Sequence, residues 1–295
     1  ARAVELGKQD PVTGRMTTGH EWNGIEELQT PIPIVVFLFL AATILFAVIC
    51  WLLYPTFPLG WTYTKGLLGF DQRQVVTEQV AAADADRSVW TAKVEQMSYA
   101  DIEADPQLMH LVKEAGRTLF QDNCAACHGI EATGGPGFPN LAAKSWLWGG
   151  EPEAIEETIR VGINSTNDDT RVSQMPAFGR DGVLQTDQVL SVVAYVRSLS
   201  GAAPAPGDAE RLAAGKGVFE ANCTACHGED AKGSHDVGAP DLTDANWIYG
   251  GSRQAVYTTV YSGRQGHMPN WDARLSPLTI KLLALYVHTL PEAHK

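Results

Sequence analysis

The longest apolar run lies near the start of the chain. From Ile32 to Tyr54 no residue is charged. At ~1.5 Å rise per residue, a helix over this stretch reaches roughly 34 Å, enough to cross a hydrocarbon layer of about 30 Å. The run is too long for a cleaved signal peptide, and no small-residue cleavage site follows it. Trp51, Tyr54, Trp61 and Tyr63 gather at one end, where amphipathic rings suit the boundary between lipid and water. The pattern predicts one transmembrane helix over 32–54, preceded by a polar segment, 1–31, that is expected to be weakly ordered alone. Pro55 and Pro58 end the helix, and an interfacial segment with surface helices follows over 55–105. Basic flanking residues are few (Arg2, Lys8 and Arg15 before, Lys65 and Arg73 after) and lean towards a cytoplasmic N-terminus.

Beyond this run the apolar period is helical. "TDQVLSVVAYVRSLS" puts Val189, Val192, Val193 and Val196 on one face, with Thr186 as the expected N-cap. "SPLTIKLLALYVHTL" begins with Ser276 as N-cap and Pro277 at the first helical position. The loops are rich in Gly and Pro, and no alternating run is long enough for a sheet. The fold class is therefore mainly α.

The chain also repeats itself. Gly116, Phe120 and Asn123 recur at Gly215, Phe219 and Asn222, and "PNL" from Pro139 matches "PDL" from Pro240. "WLWGG" from Trp146 matches "WIYGG" from Trp247, and Met175–Pro176 matches Met268–Pro269. The offset shortens before the last match, so the first copy carries an insertion, assigned to "INSTNDDTR" from Ile163 to Arg171. "GAAPAPGD", residues 201–208, is a Pro/Ala/Gly linker. Two copies of one helical fold are expected, over 106–200 and 209–295.

The net charge of −12 is uneven, half of it lying before the repeats, and no segment is basic enough for a nucleic-acid partner. The candidate chemistry is concentrated in two phrases. "NCAACHG" holds Cys124, Cys127 and His128, and "NCTACHG" holds Cys223, Cys226 and His227, four of the five cysteines. Cys-x-x-Cys-His is the attachment sequence of c-type haem. Two thiols on one helical turn each add to a porphyrin vinyl group, and the adjacent imidazole meets the iron. The competing zinc ribbon needs its two pairs about 15–20 residues apart and no His after each. Two covalently bound haem c groups are expected.

A six-coordinate haem needs a second axial ligand. Of five methionines, only Met175 and Met268 precede proline, at equivalent points of the two repeats. A thioether favours ferrous iron and raises the potential. Met97 and Met109 read as packing residues and Met16 as part of the tail. His267 competes with Met268, but its counterpart is Gln174. His20, His110, His235, His288 and His294 read as surface or packing residues, and Cys50 as a small apolar residue in the membrane helix. The spacing leaves open whether each methionine serves the haem of its own repeat or of the other.

Each repeat resembles a class I cytochrome c domain. That resemblance implies a glycine and an aromatic on the first helix packing against an aromatic of the last, Gly116 and Phe120 with Tyr195, and Gly215 and Phe219 with Tyr286. It also implies that the Pro139 and Pro240 carbonyls accept from the proximal histidines. The stretches "GHEWNGIEELQTPIP" and "YPTFPLGWTYTKGLLGFDQR" around the membrane run resemble the dihaem subunit, subunit III, of cbb3-type cytochrome c oxidases. The resemblance implies a single-pass subunit of the bacterial inner membrane with its haem domains on the periplasmic side. It would take electrons from a soluble or membrane cytochrome c and pass them to the catalytic subunit, whose haem b and copper reduce oxygen to water in a proton-pumping complex. A monohaem cytochrome c subunit is a further implied partner, and no catalytic residue is expected in this chain. The rival readings are an anchored dihaem cytochrome serving a dehydrogenase or nitric oxide reductase, and a dihaem peroxidase.

Overall fold

The computed structural model describes residues 7–293, so Arg2 and His294 lie outside the described residues. Two compact units divide the chain, residues 1–86 and 87–295. The first holds a feature that the polar composition of its start did not suggest. Strands β1 (Thr17–Trp22) and β2 (Ile25–Leu28) pair antiparallel, with Trp22 opposite Ile25. Asn23 and Gly24 turn the chain with positive φ, 52° and 85°, the backbone of a tight hairpin whose twist matches its strands. The Asn-Gly dipeptide was the signal for it.

Helix α1 (Ile34–Leu53) is the apolar run, two residues shorter at its start than expected and one at its end. None of its side chains is buried, and it is long and apolar enough to cross a membrane. Its last carbonyls are met by the chain folding back. Leu67 and Leu68 donate to the Leu52 and Leu53 carbonyls at 2.9 and 3.1 Å, so the helix end keeps its hydrogen bonds where water is scarce.

Helix α2 (Gln72–Gln96) runs out of the first unit and is followed by α3 (Tyr99–Glu103). Then come α4 (Pro106–Asn123), the single turn α5 (Ala125–His128), α6 (Pro152–Val161) and α7 (Thr186–Leu199). The second copy supplies α8 (Leu212–Asn222), the single turn α9 (Thr224–His227), α10 (Arg253–Ser262) and α11 (Pro277–Ala293). Thr186 is the first residue of α7, not its cap. Gln185 is the cap, in a reciprocal pairing with Gln188 that satisfies two free N–H groups at once. Ser276 does accept from Thr279 N at 3.2 Å ahead of α11.

The last helices of the two copies are exchanged. One core joins Phe120 of α4 and Ile155 and Ile159 of α6 with Ile280, Leu283, Ala284 and Val287 of α11. A second joins Phe219 of α8 and Val256 and Val260 of α10 with Val189, Val192, Val193 and Val196 of α7. The aromatic pairing expected from the resemblance is thereby corrected. Phe120 meets Tyr286, ring centroids 5.7 Å apart, and Phe219 meets Tyr195 at 5.5 Å. The helices cross where only glycine fits. A Cβ on Gly116 would lie 2.4 Å from Tyr286 Cβ, and one on Gly215 would lie 2.1 Å from the Ser191 carbonyl oxygen. A third cluster, with Val94, Tyr99, Ile102, Leu108, Met109, Val112, Leu282 and Leu285, closes the outer end of the α4–α11 pair.

The 201–208 linker joins α7 to α8, which share a core. Its end is pinned inside. Asp208 is buried, its Oδ2 accepting from Arg197 Nη1 at 3.1 Å and from Ala205 N at 2.8 Å.

Exchange predicts which aromatic pairs are energetically coupled. A double-mutant cycle in denaturant unfolding is expected to give about 0.5–1.5 kcal/mol between Phe120→Ala and Tyr286→Ala. Between Phe120→Ala and Tyr195→Ala it is expected to give nothing beyond additivity.

Candidate functional site

Each Cys-x-x-Cys-His phrase closes a long helix and makes one further turn. The amide of Cys124 ends α4 on the Phe120 carbonyl at 2.7 Å, and the amide of His128 bonds to the Cys124 carbonyl at 3.0 Å. Cys223 and His227 repeat the pattern at 2.8 and 3.0 Å. Gly129 and Gly228, with φ of 79° and 75°, stop the turn in a conformation that side chains resist. Cys124 and Cys223 are half-buried, while Cys127 and Cys226 are exposed. Burial, with the neighbouring Cys127 or Cys226 as a lesser cause, pushes the half-buried thiols up to about 11. They are uncharged in the folded chain at neutral pH.

The proximal histidines are oriented as expected. His128 Nδ1 lies 3.1 Å from the Pro139 carbonyl and His227 Nδ1 lies 3.0 Å from the Pro240 carbonyl. A carbonyl can only accept, so Nδ1 carries the hydrogen and Nε2 keeps its lone pair. Burial lowers both histidine pKa values, with the bond to the carbonyl acting the other way. Gly134 and Gly233 donate to the His128 and His227 carbonyls, both at 2.8 Å, and so close each proximal loop.

The sixth-ligand candidates occupy the exchanged positions. Met268 packs against the core that contains Phe120, alongside Cys124. Met175 packs against the core that contains Phe219, alongside Cys223. Two short antiparallel contacts carry the chains across. Ile163 and Met268 exchange hydrogen bonds at 2.9 Å each, and Met175 and Arg264 do so at 2.8 and 3.0 Å. The crossing again requires glycine. A Cβ on Gly162 would lie 2.4 Å from the Met268 carbonyl oxygen, and one on Gly263 would lie 2.5 Å from that of Met175. Asn164 clamps the crossing, its Nδ2 donating to the Ser173 and Gly266 carbonyls at 2.8 and 2.7 Å. The "INSTNDDTR" segment is thus part of the crossing and not a free loop.

The donor set suits haem c. Each site offers two thiols on one turn, an imidazole with Nε2 free, an apolar wall and a half-buried thioether. Zinc is a poorer match, because the two cysteine pairs lie in separate cores. Among the described residues no group of three or more His, Cys, Asp and Glu could hold a metal ion. The other methionines and histidines are placed elsewhere. Met109 is buried and Met97 packs beside it, while Met16 is exposed. His267 spends Nδ1 on the Asn164 carbonyl at 2.9 Å, and His288 bonds to the Gly150 carbonyl. His20 and His110 are exposed.

Pro139 and Pro240 line one cleft of about 200 Å³ between the two proximal loops, together with Phe138, Asn140, Ser145 and Asp244. Ser145 donates to Asp244, and Asn246 Nδ2 donates to Ser145 Oγ at 2.7 Å. The two attachment sites therefore share a bonded interface. Sequence reading missed Arg171 and Arg264, each four residues before its Met-Pro. The repeated Arg-x-x-x-Met-Pro spacing was the available signal.

Three family models match along the chain. Residues 14–61 match the N-terminal domain of cytochrome oxidase-cbb3, FixP, and residues 113–200 match cytochrome c. Residues 210–287 match cytochrome c oxidase, cbb3-type, subunit III. A Bradyrhizobium sp. (strain ORS 278) protein named cbb3-type cytochrome c oxidase subunit FixP is 46% identical over 282 residues, covering 95% of this chain and 96% of the relative. The subunit CcoP of Azospirillum sp. (strain B510) is 43% identical over 290 residues, covering 96% and 97%. That of Cereibacter sphaeroides is 44% identical over 275 residues, covering 93% and 94%.

The proximal loop supplies a stability test with its own control. A Cβ on Gly134 (φ +71°) would lie 2.4 Å from the Phe138 carbonyl oxygen, whereas one on Gly135 meets nothing within 4 Å. Gly134→Ala is expected to lower unfolding free energy by about 1–3 kcal/mol, and Gly135→Ala by less than ~0.5 kcal/mol. Denaturant midpoints of the two variants check this.

Proposed function

The chain belongs to the FixP/CcoP family of cbb3-type cytochrome c oxidase subunits, which makes it a haem c electron-transfer subunit, and from that premise we propose how its two haem sites are wired. Cys124 and Cys127 attach one haem and His128 binds its iron, while Met268, from the other repeat, supplies the sixth ligand. Cys223, Cys226 and His227 hold the second haem, with Met175 opposite. The observation that carries this reading is the partnership of each methionine, which packs in the core of the other repeat's cysteine. The expected domains, 106–200 and 209–295, thus each carry one attachment phrase and exchange their last helix and methionine.

Bound haem supplies one-electron redox chemistry between ferric and ferrous iron. The chain's own residues set its terms. The Pro139 and Pro240 carbonyls fix the imidazole tautomer and orientation, a second-shell effect that also makes Nε2 a stronger donor. The crossed methionine loops hold a soft ligand in place, and the apolar walls exclude water. Both tune potential, and neither supplies an acid or base, so the role assigned to this chain is non-catalytic.

The shared cleft at Pro139 and Pro240 supports direct passage of electrons between the two haems. The partners assigned are a donor cytochrome c, a monohaem cytochrome c subunit, and the catalytic subunit with haem b and copper. Haem c is attached outside the cytoplasm, so the haem unit is assigned to the periplasmic side of the inner membrane and the segment before α1 to the cytoplasm. The N-terminal FixP match favours an oxidase over another dehydrogenase or reductase. The methionine in each core argues against the open haem that a peroxidase needs.

The wiring is tested in a chain stripped of its first haem by Cys124→Ala and Cys127→Ala. In that background Met175→His is expected to lower the potential of the remaining haem, because imidazole favours ferric iron more than a thioether does. Met268→His is expected to leave it alone. Redox titration giving the opposite pattern would mean each methionine serves its own repeat.

Assembly is tested at the hairpin. Removing residues 14–30 is expected to leave two covalent haems and an anchored chain, but to reduce co-purification with the catalytic subunit. Full oxygen consumption by the truncated complex would assign recognition elsewhere.

A further inference from the structure

The chain that leaves α1 folds back on the end of the helix and is fixed there. Pro58 and Tyr63 pair across a short antiparallel bridge, and Leu59 N donates to the Thr62 carbonyl at 2.6 Å. Thr64 Oγ1 accepts from Phe57 N at 3.0 Å. Gly66 lies so close to α1 that a Cβ there would stand 2.3 Å from the Leu53 carbonyl oxygen. Phe70 then meets Tyr54 edge to face, ring centroids 6.4 Å apart. Tyr54, Tyr63 and Phe70 line a cleft of about 500 Å³ together with Asp71, Gln72 and Arg73, a volume that suits a small ligand.

The polar groups of this cleft are largely unpaired. Asp71 Oδ1 accepts from the Arg73 and Gln74 amides at 2.9 and 3.4 Å, which leaves Oδ2 without a hydrogen bond. The Arg73 guanidinium, the Gln72 side-chain amide and the Tyr54 and Tyr63 hydroxyls make no hydrogen bond among the described residues. Asp71 and Arg73 line one cleft, yet neither forms an ion pair with the other or with any other described residue. A carboxylate and a guanidinium held apart in this way suit a ligand that carries both charges itself, since ionised partners make the strongest hydrogen bonds.

The position indicates which ligand. The cleft lies where the uncharged helix α1 ends, and Leu59, Trp61 and Leu67 on the same fold-back are exposed. Such residues suit the boundary between lipid and water, where amphipathic rings and apolar side chains meet headgroups and the first part of the acyl chains. A phospholipid standing there lays its acyl chains along α1 and its headgroup in the cleft. We propose that the cleft binds the headgroup of one phosphatidylethanolamine-type lipid, with the phosphate at Arg73 and the ammonium at Asp71. The phosphate also accepts from the tyrosine hydroxyls, and a primary ammonium brings three donors to Asp71 Oδ2. A choline headgroup has no N–H to donate, and a glycerol headgroup has no cation for Asp71. The inference rests on α1 lying in a membrane and is independent of how the haems are wired.

The test titrates lipids of matched acyl chains into the full, haem-loaded chain in detergent and counts bound lipid by native mass spectrometry. One phosphatidylethanolamine per chain is expected, retained about tenfold more strongly than phosphatidylcholine or phosphatidylglycerol. Arg73→Gln is expected to weaken phosphatidylethanolamine and phosphatidylglycerol alike, by about tenfold. Asp71→Asn keeps a good cap on α2 and is expected to bring phosphatidylethanolamine down to the level of phosphatidylglycerol. Lys65→Gln removes an exposed cation of the same fold-back that does not line the cleft, and is expected to change nothing. Equal retention of the three lipids, a preference for phosphatidylcholine, or an equal loss in Lys65→Gln would overturn the proposal. Recovery of the parent chain in the soluble fraction without detergent would instead strike the membrane reading on which it rests.

Discussion

Two helix crossings hold the haem unit together, α4 on α11 and α8 on α7. Each depends on a glycine whose missing Cβ lets two backbones approach, Gly116 against Tyr286 and Gly215 against Ser191. Because these crossings pair helices from different repeats, neither copy can complete a core alone. The large residues buried there, Phe120, Phe219, Leu283 and Val189 among them, contribute about 1.5–3 kcal/mol each by leaving water. That stabilisation is gained only when both copies fold together.

The same exchange organises the chemistry. Once α7 and α11 change places, the segments that lead to them must cross, and the crossing is where Met175 and Met268 lie. Gly162 and Gly263 turn the chain at the ends of α6 and α10, and the two short ladders at Ile163–Met268 and Met175–Arg264 fix its register. A methionine presented this way is held by backbone on both sides of the interface. Its thioether position depends on the whole unit and not on one flexible loop, and under the proposed wiring the character of each haem site does too.

Symmetry is broken by the Ile163–Arg171 insertion and at a few side chains. The repeats share their proximal loops almost bond for bond, down to Ala132 and Ala231, which both take positive φ, 56° and 60°. They differ where Trp148 stands for Tyr249 and where Thr259 meets Arg264.

How much of this was legible in the residues can be judged element by element. The long apolar helix was readable because an uncharged run has few other stable environments, and the haem c cofactor because the Cys-x-x-Cys-His phrase demands particular residues at close spacing. The proximal bonds followed from Pro139 and Pro240 once the family resemblance was seen. The hairpin at Thr17–Leu28 was signalled by Asn23-Gly24 and overlooked because the segment around it is polar. The cap of α7 was misplaced by one residue, since Gln185 and Thr186 both offer a side chain that can bond. The pairing of helices was of another kind. Gly116 and Phe120 fit against Tyr195 or Tyr286 equally well, because the repeats present the same apolar faces at the same spacing. Local sequence determined the anchor, the two haem attachment phrases and the helices. Only the tertiary structure decided which last helix packs with which attachment phrase, because that choice rests on the path of the chain between the repeats and on packing between residues far apart in sequence.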